Sequence, residues 1–383
     1  MRYGMVGGGP GAFIGAVHRR AAAFDGRSQL VAGAFSSDAM RSATQGRELG
    51  LADARVYGDF LTMAEREAAL PADQRLDFVV IVTPNHLHYD AAAVFLERGF
   101  HVVCDKPLTT TLRDAKALCR RARDGNRILA VTYVYTGYPL IKQARALVRS
   151  GALGTIRRIS VQYTQGWLAQ PIELAGHAQA VWRTDPALAG AGALGDIGVH
   201  AYDLMHYVSG LTPARLFADV TTHVTGRRVD DDASVLFQYD DGARGLLVCT
   251  QVAGGVENDV RLHVAGDQAT LEWSHAAPER LIVHDTAGGR RMITRGSPDL
   301  APAAARASRL PAGHPEGFHD AFANVYANVM RTISAHDLGA APDPLDLDFP
   351  TGENGAAGVH FIETAIRSSR ERAWLDATYS PPG

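Results

Sequence analysis

Val6-Gly-Gly-Gly-Pro-Gly-Ala-Phe-Ile-Gly-Ala-Val-His18 is the stretch whose reading decides the fold. It follows a short apolar run, Tyr3–Val6, and opens a segment, Ile14–Phe24, with Ala, Val and Phe on one side. Strand, glycine loop and helix in that order form the context a dinucleotide-binding turn requires. Glycines admit positive φ and let backbone N–H groups approach a pyrophosphate, and the helix N-terminus adds partial positive charge. Gly7 and Gly9 fit the opening of the motif, whereas Gly15 comes late, so the loop is longer than the simple G-x-G-x-x-G form. Gly7, Gly9, Pro10, Gly11, Phe13 and Ile14 are the candidate cofactor-facing residues of this loop.

Outward from the loop, strand and helix patterns alternate. A second strand, Leu30–Phe35, is followed by a helix, Asp38–Leu49. Phe78–Val82 reads FVVIV, the continuous apolar run of a strand buried on both faces. A helix over Ala91–Glu97 stops at Gly99. His101–Cys104 is the next strand, Leu112–Arg123 a helix, and Ile128–Tyr133 a strand. This alternation predicts right-handed crossovers and a doubly wound parallel sheet. The second strand ends Ala34-Phe35-Ser36-Ser37-Asp38, with Arg41 just beyond. An acid at such a tip accepts bonds from the adenosine ribose. The hydroxyls of Ser36 and Ser37 suit a ribose, and they also leave room for a 2′-phosphate paired with Arg41. NAD and NADP both fit this tip, and Asp38 and Arg41 equally suit the first turn of a helix.

After about residue 135 the pattern changes. A helix, Leu140–Arg149, closes at Gly151, and Ile156–Ile293 offers short strands rich in Val, Leu, Thr and Tyr. Asp241-Gly242 is a hairpin signal between two of them. Ser297–Gly313 reads as a loop, and Phe318–Ile333 and Ala356–Ser368 as helices. The expected architecture is an α/β Rossmann domain over 1–135, then an α+β domain over 136–383 with a large, mostly antiparallel sheet. Its C-terminal helices have the option of packing back on the first domain.

Composition excludes several classes. With 383 residues, 46% apolar and 21% charged, the chain has the make-up of a two-domain globular protein. A net charge of −3 without a basic tract gives no footprint for nucleic acid or an anionic membrane. Cys104, Cys119 and Cys249 lack C-x-x-C spacing and read as reduced thiols. Met1 runs directly into the first strand pattern, and no apolar stretch reaches the roughly 18 residues of a membrane span. The expectation is a cytoplasmic protein.

Two further motifs carry chemistry. His101-Val-Val-Cys-Asp-Lys-Pro107 is a strand running into Asp-Lys-Pro, which sets Lys106 just past a carboxyl end, where an ammonium reaches ligand. Gly195-Asp196-Ile-Gly-Val-His200 puts a carboxylate and an imidazole at i, i+4. On a helix they share a face, a pairing suited to proton transfer near neutral pH. His86-x-His88 and Asp196/His200 fall in different domains and no cysteine ligand set accompanies them, so no catalytic metal is expected.

The glycine loop, Thr83-Pro84-Asn85, Asp105-Lys106-Pro107 and Asp196-Ile-Gly-Val-His200, in this order and spacing, resemble the Gfo/Idh/MocA oxidoreductases, and the resemblance covers nearly the whole chain. The long glycine loop, Val181-Trp-Arg-Thr-Asp-Pro186 and the Gly313–Val329 stretch are similar to scyllo-inositol dehydrogenases, including those that accept L-glucose. The resemblance implies oligomerisation through the exposed face of the large sheet, as a dimer or tetramer. It implies that Lys106 holds the reacting hydroxyl and that Asp196 and His200 complete the catalytic trio. Asp105 stands where the family usually has Glu, on the nicotinamide side, and the Lys106–Pro107 bond is expected in cis. Thr83, Asn85, His88, Trp182 and Arg183 are implied around the cofactor. Arg183, Tyr135 and His314 are further candidates to touch substrate, and Gln165 and Trp167 to line the pocket. The activity implied is NAD-dependent oxidation of a secondary hydroxyl of a cyclic polyol or sugar, such as scyllo-inositol or L-glucose, to the ketone or lactone. The alternatives are an NADP-linked sugar or keto-sugar reductase of the same fold and a non-catalytic sugar or dinucleotide sensor.

Overall fold

A computed structural model describes residues 1–383. One compact unit comprises Met1–Thr132, Phe318–Ala356 and Pro381–Gly383, and a second comprises Tyr133–Gly317 and Ala357–Ser380. The sequence places a single boundary near residue 135. The chain returns to the first unit with a C-terminal helix before it completes the second.

The first unit runs β1 (Arg2–Gly7), α1 (Phe13–Ala23), β2 (Gln29–Ala34), α2 (Ala39–Glu48), α3 (Phe60–Ala68), β3 (Phe78–Val82), α4 (His88–Glu97), β4 (His101–Cys104), α5 (Leu112–Asp124) and β5 (Leu129–Val131). Its five strands lie in the order β2-β1-β3-β4-β5, all parallel. Every residue of FVVIV is buried, as its unbroken apolar character requires. Helix α3 was not legible as a separate pattern. Asp59 starts it by accepting the Thr62 N–H at 2.8 Å, and Met63 and Ala64 bury its inner face. The strand order reverses between β1 and β3, and Gly7 pairs with Val82 there. In open α/β sheets ligands bind outside the carboxyl ends of the strands at such a reversal.

The second unit continues with α6 (Pro139–Arg149), β6 (Ile156–Thr164), α7 (Ala178–Arg183), α8 (Pro186–Ala189), a π turn (Leu194–Gly198), α9 (Val199–Ser209), β7 (Pro213–Thr221), β8 (Asp232–Tyr239), β9 (Arg244–Thr250), β10 (Asp259–Gly266), β11 (Ala269–Ser274), β12 (Arg280–Asp285), β13 (Arg290–Thr294) and α10 (Pro302–Ala307). Helix α11 (Phe318–Asp337) then belongs to the first unit, and the chain ends with α12 (Gly352–Glu371) and β14 (Leu375–Asp376). The nine strands are ordered β13-β12-β11-β10-β6-β9-β8-β7-β14 and pair antiparallel except for β6 with β9. Along β8, Ala233, Val235, Phe237 and Tyr239 are buried while Ser234 and Leu236 face out, the period-2 pattern of a sheet covered on one side. Helices α6 and α9 cover the inner face. Asp241-Gly242 turns β8 into β9 as expected. Ser297–Gly313 is not all loop: Pro302 opens the short α10, whose alanines pack on α6.

Candidate functional site

In the first unit, one group of candidate residues sits at the β1/β3 reversal. Gly8 and Gly15 make the loop's tightest approach: a Cβ on Gly15 would lie 2.4 Å from the Gly8 Cα. Gly15, late in the motif, is thus the glycine that lets helix α1 pack on the strand end, and its partner is Gly8, which the spacing argument passed over. Helix α1 starts at Phe13 with no side chain capping it, so its first-turn amides face outward in the manner of an anion site. At the β2 tip, Asp38 is a helix cap: it accepts the N–H groups of Met40 (2.9 Å) and Arg41 (3.1 Å). Ser36 is half-buried, and Ser37 and Arg41 are exposed beside it. Past β3, the Thr83 hydroxyl is buried without a hydrogen-bond partner, and Asn85 is buried at the start of the next turn. The glycine cradle, the uncapped helix end and the orphaned hydroxyl fit a dinucleotide.

Two residues expected at the cofactor have partners within the protein. The His88 ring is fully buried, with Nδ1 2.8 Å from the Pro107 carbonyl and Nε2 3.0 Å from the Thr83 carbonyl. Burial pulls its pKa down, against Asp105 and the two carbonyls, and the ring lies between the ends of β3 and β4. The Asp105 carboxylate also turns inward. Its Oδ1 accepts the Thr132 hydroxyl at 2.7 Å and lies 3.6 Å from His18 Nε2. Burial by itself would raise this carboxyl, but His18, Lys106 and Thr132 outweigh it and hold it well below the usual range. Lys106 itself is half-buried, and the Lys106–Pro107 bond is cis.

In the second unit, another group of candidate residues centres on the π turn. Asp230 fixes its start, accepting the Gly192 and Leu194 N–H groups at 2.7 Å each. The turn carries Asp196 and runs into α9, so Asp196 and His200 sit at a π-to-α junction, a helix irregularity common at functional sites. Gly198 of the motif has a local cause: a Cβ there would meet the Cys249 sulfur at 2.9 Å. Asp196 Oδ2 accepts the Gln251 side-chain amide at 2.8 Å, and its Oδ1 lies 3.6 Å from Arg183 Nε. The Arg183 guanidinium stacks on Trp182 at 4.2 Å. His200 is buried against the edges of Tyr133 (5.7 Å) and Tyr135 (5.4 Å). The Tyr135 hydroxyl donates to Tyr163 at 2.8 Å, and burial raises its pKa. From Gln251 an amide chain continues through Gln165 (3.4 Å), Asn258 (2.7 Å) and His275 (3.2 Å). His314 does not join this group by a hydrogen bond. It is exposed on a loop whose carbonyls Arg295 binds.

His101, His336 and Asp337 bring three potential metal ligands within 4.8 Å of one another. The Ile128 N–H, however, donates to His101 Nδ1 at 2.9 Å, so the proton of the neutral ring sits on Nε2, facing Asp337 at 3.1 Å. A nitrogen carrying that proton has no lone pair for an ion, and the group reads as a hydrogen-bonded cluster.

Comparison with known proteins fits this geometry. Residues 1–133 match the model of an oxidoreductase family with an NAD-binding Rossmann fold, and residues 141–272 match the GFO/IDH/MocA C-terminal domain. The chain belongs to this family. An uncharacterized oxidoreductase of Bacillus subtilis (strain 168), YfiI, is 32% identical over 98% of this chain and 96% of its own. Among solved structures, an inositol dehydrogenase homolog from Azotobacter vinelandii complexed with NAD+ is 36% identical, with a TM-score of 0.93, over 98% of this chain and 97% of that one. The complex with NADH and myo-inositol is 34% identical, with a TM-score of 0.91 over the same shares. The protein is therefore an oxidoreductase of the GFO/IDH/MocA family, with an NAD-binding Rossmann fold followed by a largely antiparallel second domain. No helix is long and apolar enough to cross a membrane.

Gly8, His18, Thr132, Asp230, Gln251, Asn258 and His275 were not singled out from sequence. Most lie outside any motif, and their partners are far along the chain. The run Asp230-Asp-Asp232 before a strand was the one local signal for an anchoring carboxylate.

Proposed function

We propose that the protein oxidises a secondary hydroxyl of a cyclic polyol or pyranose with NAD, with scyllo-inositol, myo-inositol and L-glucose as the first substrates to try and a ketone or lactone as product. The observation that carries the reading is the Asp196–His200 pair on its π-to-α junction, with Asp196 held by Gln251 and Arg183. The relative solved with NADH and myo-inositol supports the substrate class. NAD, when bound on the glycine cradle, supplies the hydride acceptor. His200 takes the hydroxyl proton as general base. Lys106, as a cation, stabilises the developing alkoxide. Asp196 orients the imidazole or accepts a neighbouring hydroxyl, and the amide chain from Gln251 to Asn258 offers donors and acceptors suited to a polyol. The residues invoked on the cofactor are Gly7, Gly9, Gly11, the first turn of α1, Ser36 and Thr83.

A second reading is an NADP-linked reductase. Asp38 is committed to capping α2, which leaves Ser36, Ser37 and Arg41 at the β2 tip, where a 2′-phosphate would sit. The test is absorbance at 340 nm with NAD and NADP separately against inositol isomers, both glucose enantiomers and common aldoses. Turnover of an inositol or glucose with NAD supports the first reading, a strong NADP preference the second, and dinucleotide binding without turnover a sensor.

We also propose a homo-oligomer, dimer or tetramer, through the outer face of the large sheet. One row in register crosses it through Phe217, Leu236, Leu246, Ser160, His263, Glu272, Ile282 and Met292, apolar at both ends. Leu236 (44%) and Met292 (54%) are exposed there. Light scattering behind size exclusion tests this, and a monomer would refute it.

A further inference from the structure

Asp105 precedes Lys106, and its carboxylate meets a set of groups drawn from three other elements. The Thr132 hydroxyl, just past β5, donates to Oδ1 at 2.7 Å. His18, on α1 behind the glycine loop, presents Nε2 to the same oxygen at 3.6 Å, just beyond hydrogen-bond range. The His18 ring is completely buried, edge-on to Phe322 (4.9 Å) and Tyr326 (5.8 Å) of α11. Its Nδ1 lies 2.7 Å from the Tyr326 hydroxyl. Burial pushes the Tyr326 phenol far up, so it keeps its proton and donates to Nδ1. The proton of the neutral imidazole then resides on Nε2 and points at Asp105. In an interior lined by Phe322 and Cys104, Nε2 is buried with no hydrogen bond in range, and the Asp105 carboxylate is the polar group it faces.

We propose that Tyr326, His18 and Thr132 form a positioning relay for Asp105, which fixes the neighbouring Lys106 ammonium for the developing alkoxide. This rests on the role proposed above for Lys106. His18 is then a positioning residue that ties the glycine helix, the ends of β4 and β5, and α11 to one carboxylate. Asp105 is the counter-charge of the catalytic lysine rather than a nicotinamide ligand.

The test compares His18→Leu, which removes both ring nitrogens, with His18→Gln, whose side-chain amide returns an N–H donor near Nε2. His18→Leu should lower kcat by about tenfold or more while the NADH dissociation constant, read by fluorescence, stays within about threefold. His18→Gln should recover most of that loss. Asp105→Asn and the double variant Asp105→Asn/His18→Leu should have nearly the same kcat, since both changes break one relay. Independently of turnover, imidazole 15N signals of the wild type, with His18 identified by its absence in His18→Gln, should report the Nε2–H tautomer and shift in Asp105→Asn. Wild-type kcat in His18→Leu, a loss that Gln does not restore, full additivity with Asp105→Asn, or an Nδ1–H tautomer would each overturn the relay. Lys106→Ala separates the two readings. If it keeps its turnover, the role of Lys106 fails. If it loses turnover while His18→Leu does not, the relay alone fails.

Discussion

Replacing Asp230 removes matched acceptors beneath the π turn that carries Asp196. The carboxylate accepts two main-chain N–H groups, from the buried Gly192 and Leu194, each at 2.7 Å. Burial pushes the Asp230 carboxyl up while those two bonds pull it back, so the site holds a charge at some cost. Asparagine keeps one acceptor, turns an NH2 toward the other N–H, and avoids the cost of the buried charge. Its net penalty should be about 1–2 kcal/mol. Alanine leaves both N–H groups without acceptors, at about 1–3 kcal/mol each, so a loss of about 2–6 kcal/mol is expected. At about 2–4 °C per kcal/mol for a domain of this size, Asp230→Asn should lower Tm by about 2–8 °C and Asp230→Ala by more. Because the turn sets the position of Asp196, kcat should fall with stability, by about tenfold or more in Asp230→Ala. Thermal unfolding and steady-state turnover on one preparation measure both. An Asp230→Ala protein as stable and as active as the wild type would refute the reasoning.

Gly15→Ala places a methyl against main-chain atoms of Gly8, which cannot swing aside as a side chain would. NADH affinity should fall by about tenfold or more, measured by fluorescence titration, with the circular dichroism spectrum retained. Gln251→Leu deprives Asp196 Oδ2 of its 2.8 Å donor, and kcat should drop about tenfold with NADH affinity unchanged. Asp105 has a depressed folded-state pKa, so its contribution is present above the unfolded value of about 3.9 and is lost as pH falls toward the folded one. The wild type should therefore lose stability below about pH 4 more steeply than Asp105→Asn, read from urea midpoints against pH.

Local physics explains what was legible. Phe78–Val82 announced a buried parallel strand because no position in it tolerates water, and Asp241-Gly242 announced a hairpin because its turn chemistry is local. The pairing of β6 with β9 was not legible, since Arg158 meets Arg244 only through the assembled sheet, and neither was β14 closing the sheet from the C-terminal end. In the site, motif spacing named Lys106, Asp196 and His200 as candidates. It did not show that the polar atoms of His88 and Asp105 turn toward main chain and toward groups remote in sequence. His18 shows the reason most plainly: its partner Tyr326 lies 308 residues away, and nothing near His18 signals it. The π turn escaped as well, because its register depends on Asp230, which no helical periodicity connects to Asp196.

The pH dependence of kcat/KM for the best substrate, measured for the wild type beside His200→Ala, tests the central claim most directly. The wild-type rate should fall on the acid side as the general base takes up a proton, and the variant should be about 10²-fold slower or more and lack that limb. A variant with the same limb and a near-normal rate would show that another group moves the proton, and would contradict the assignment of the Asp196–His200 pair.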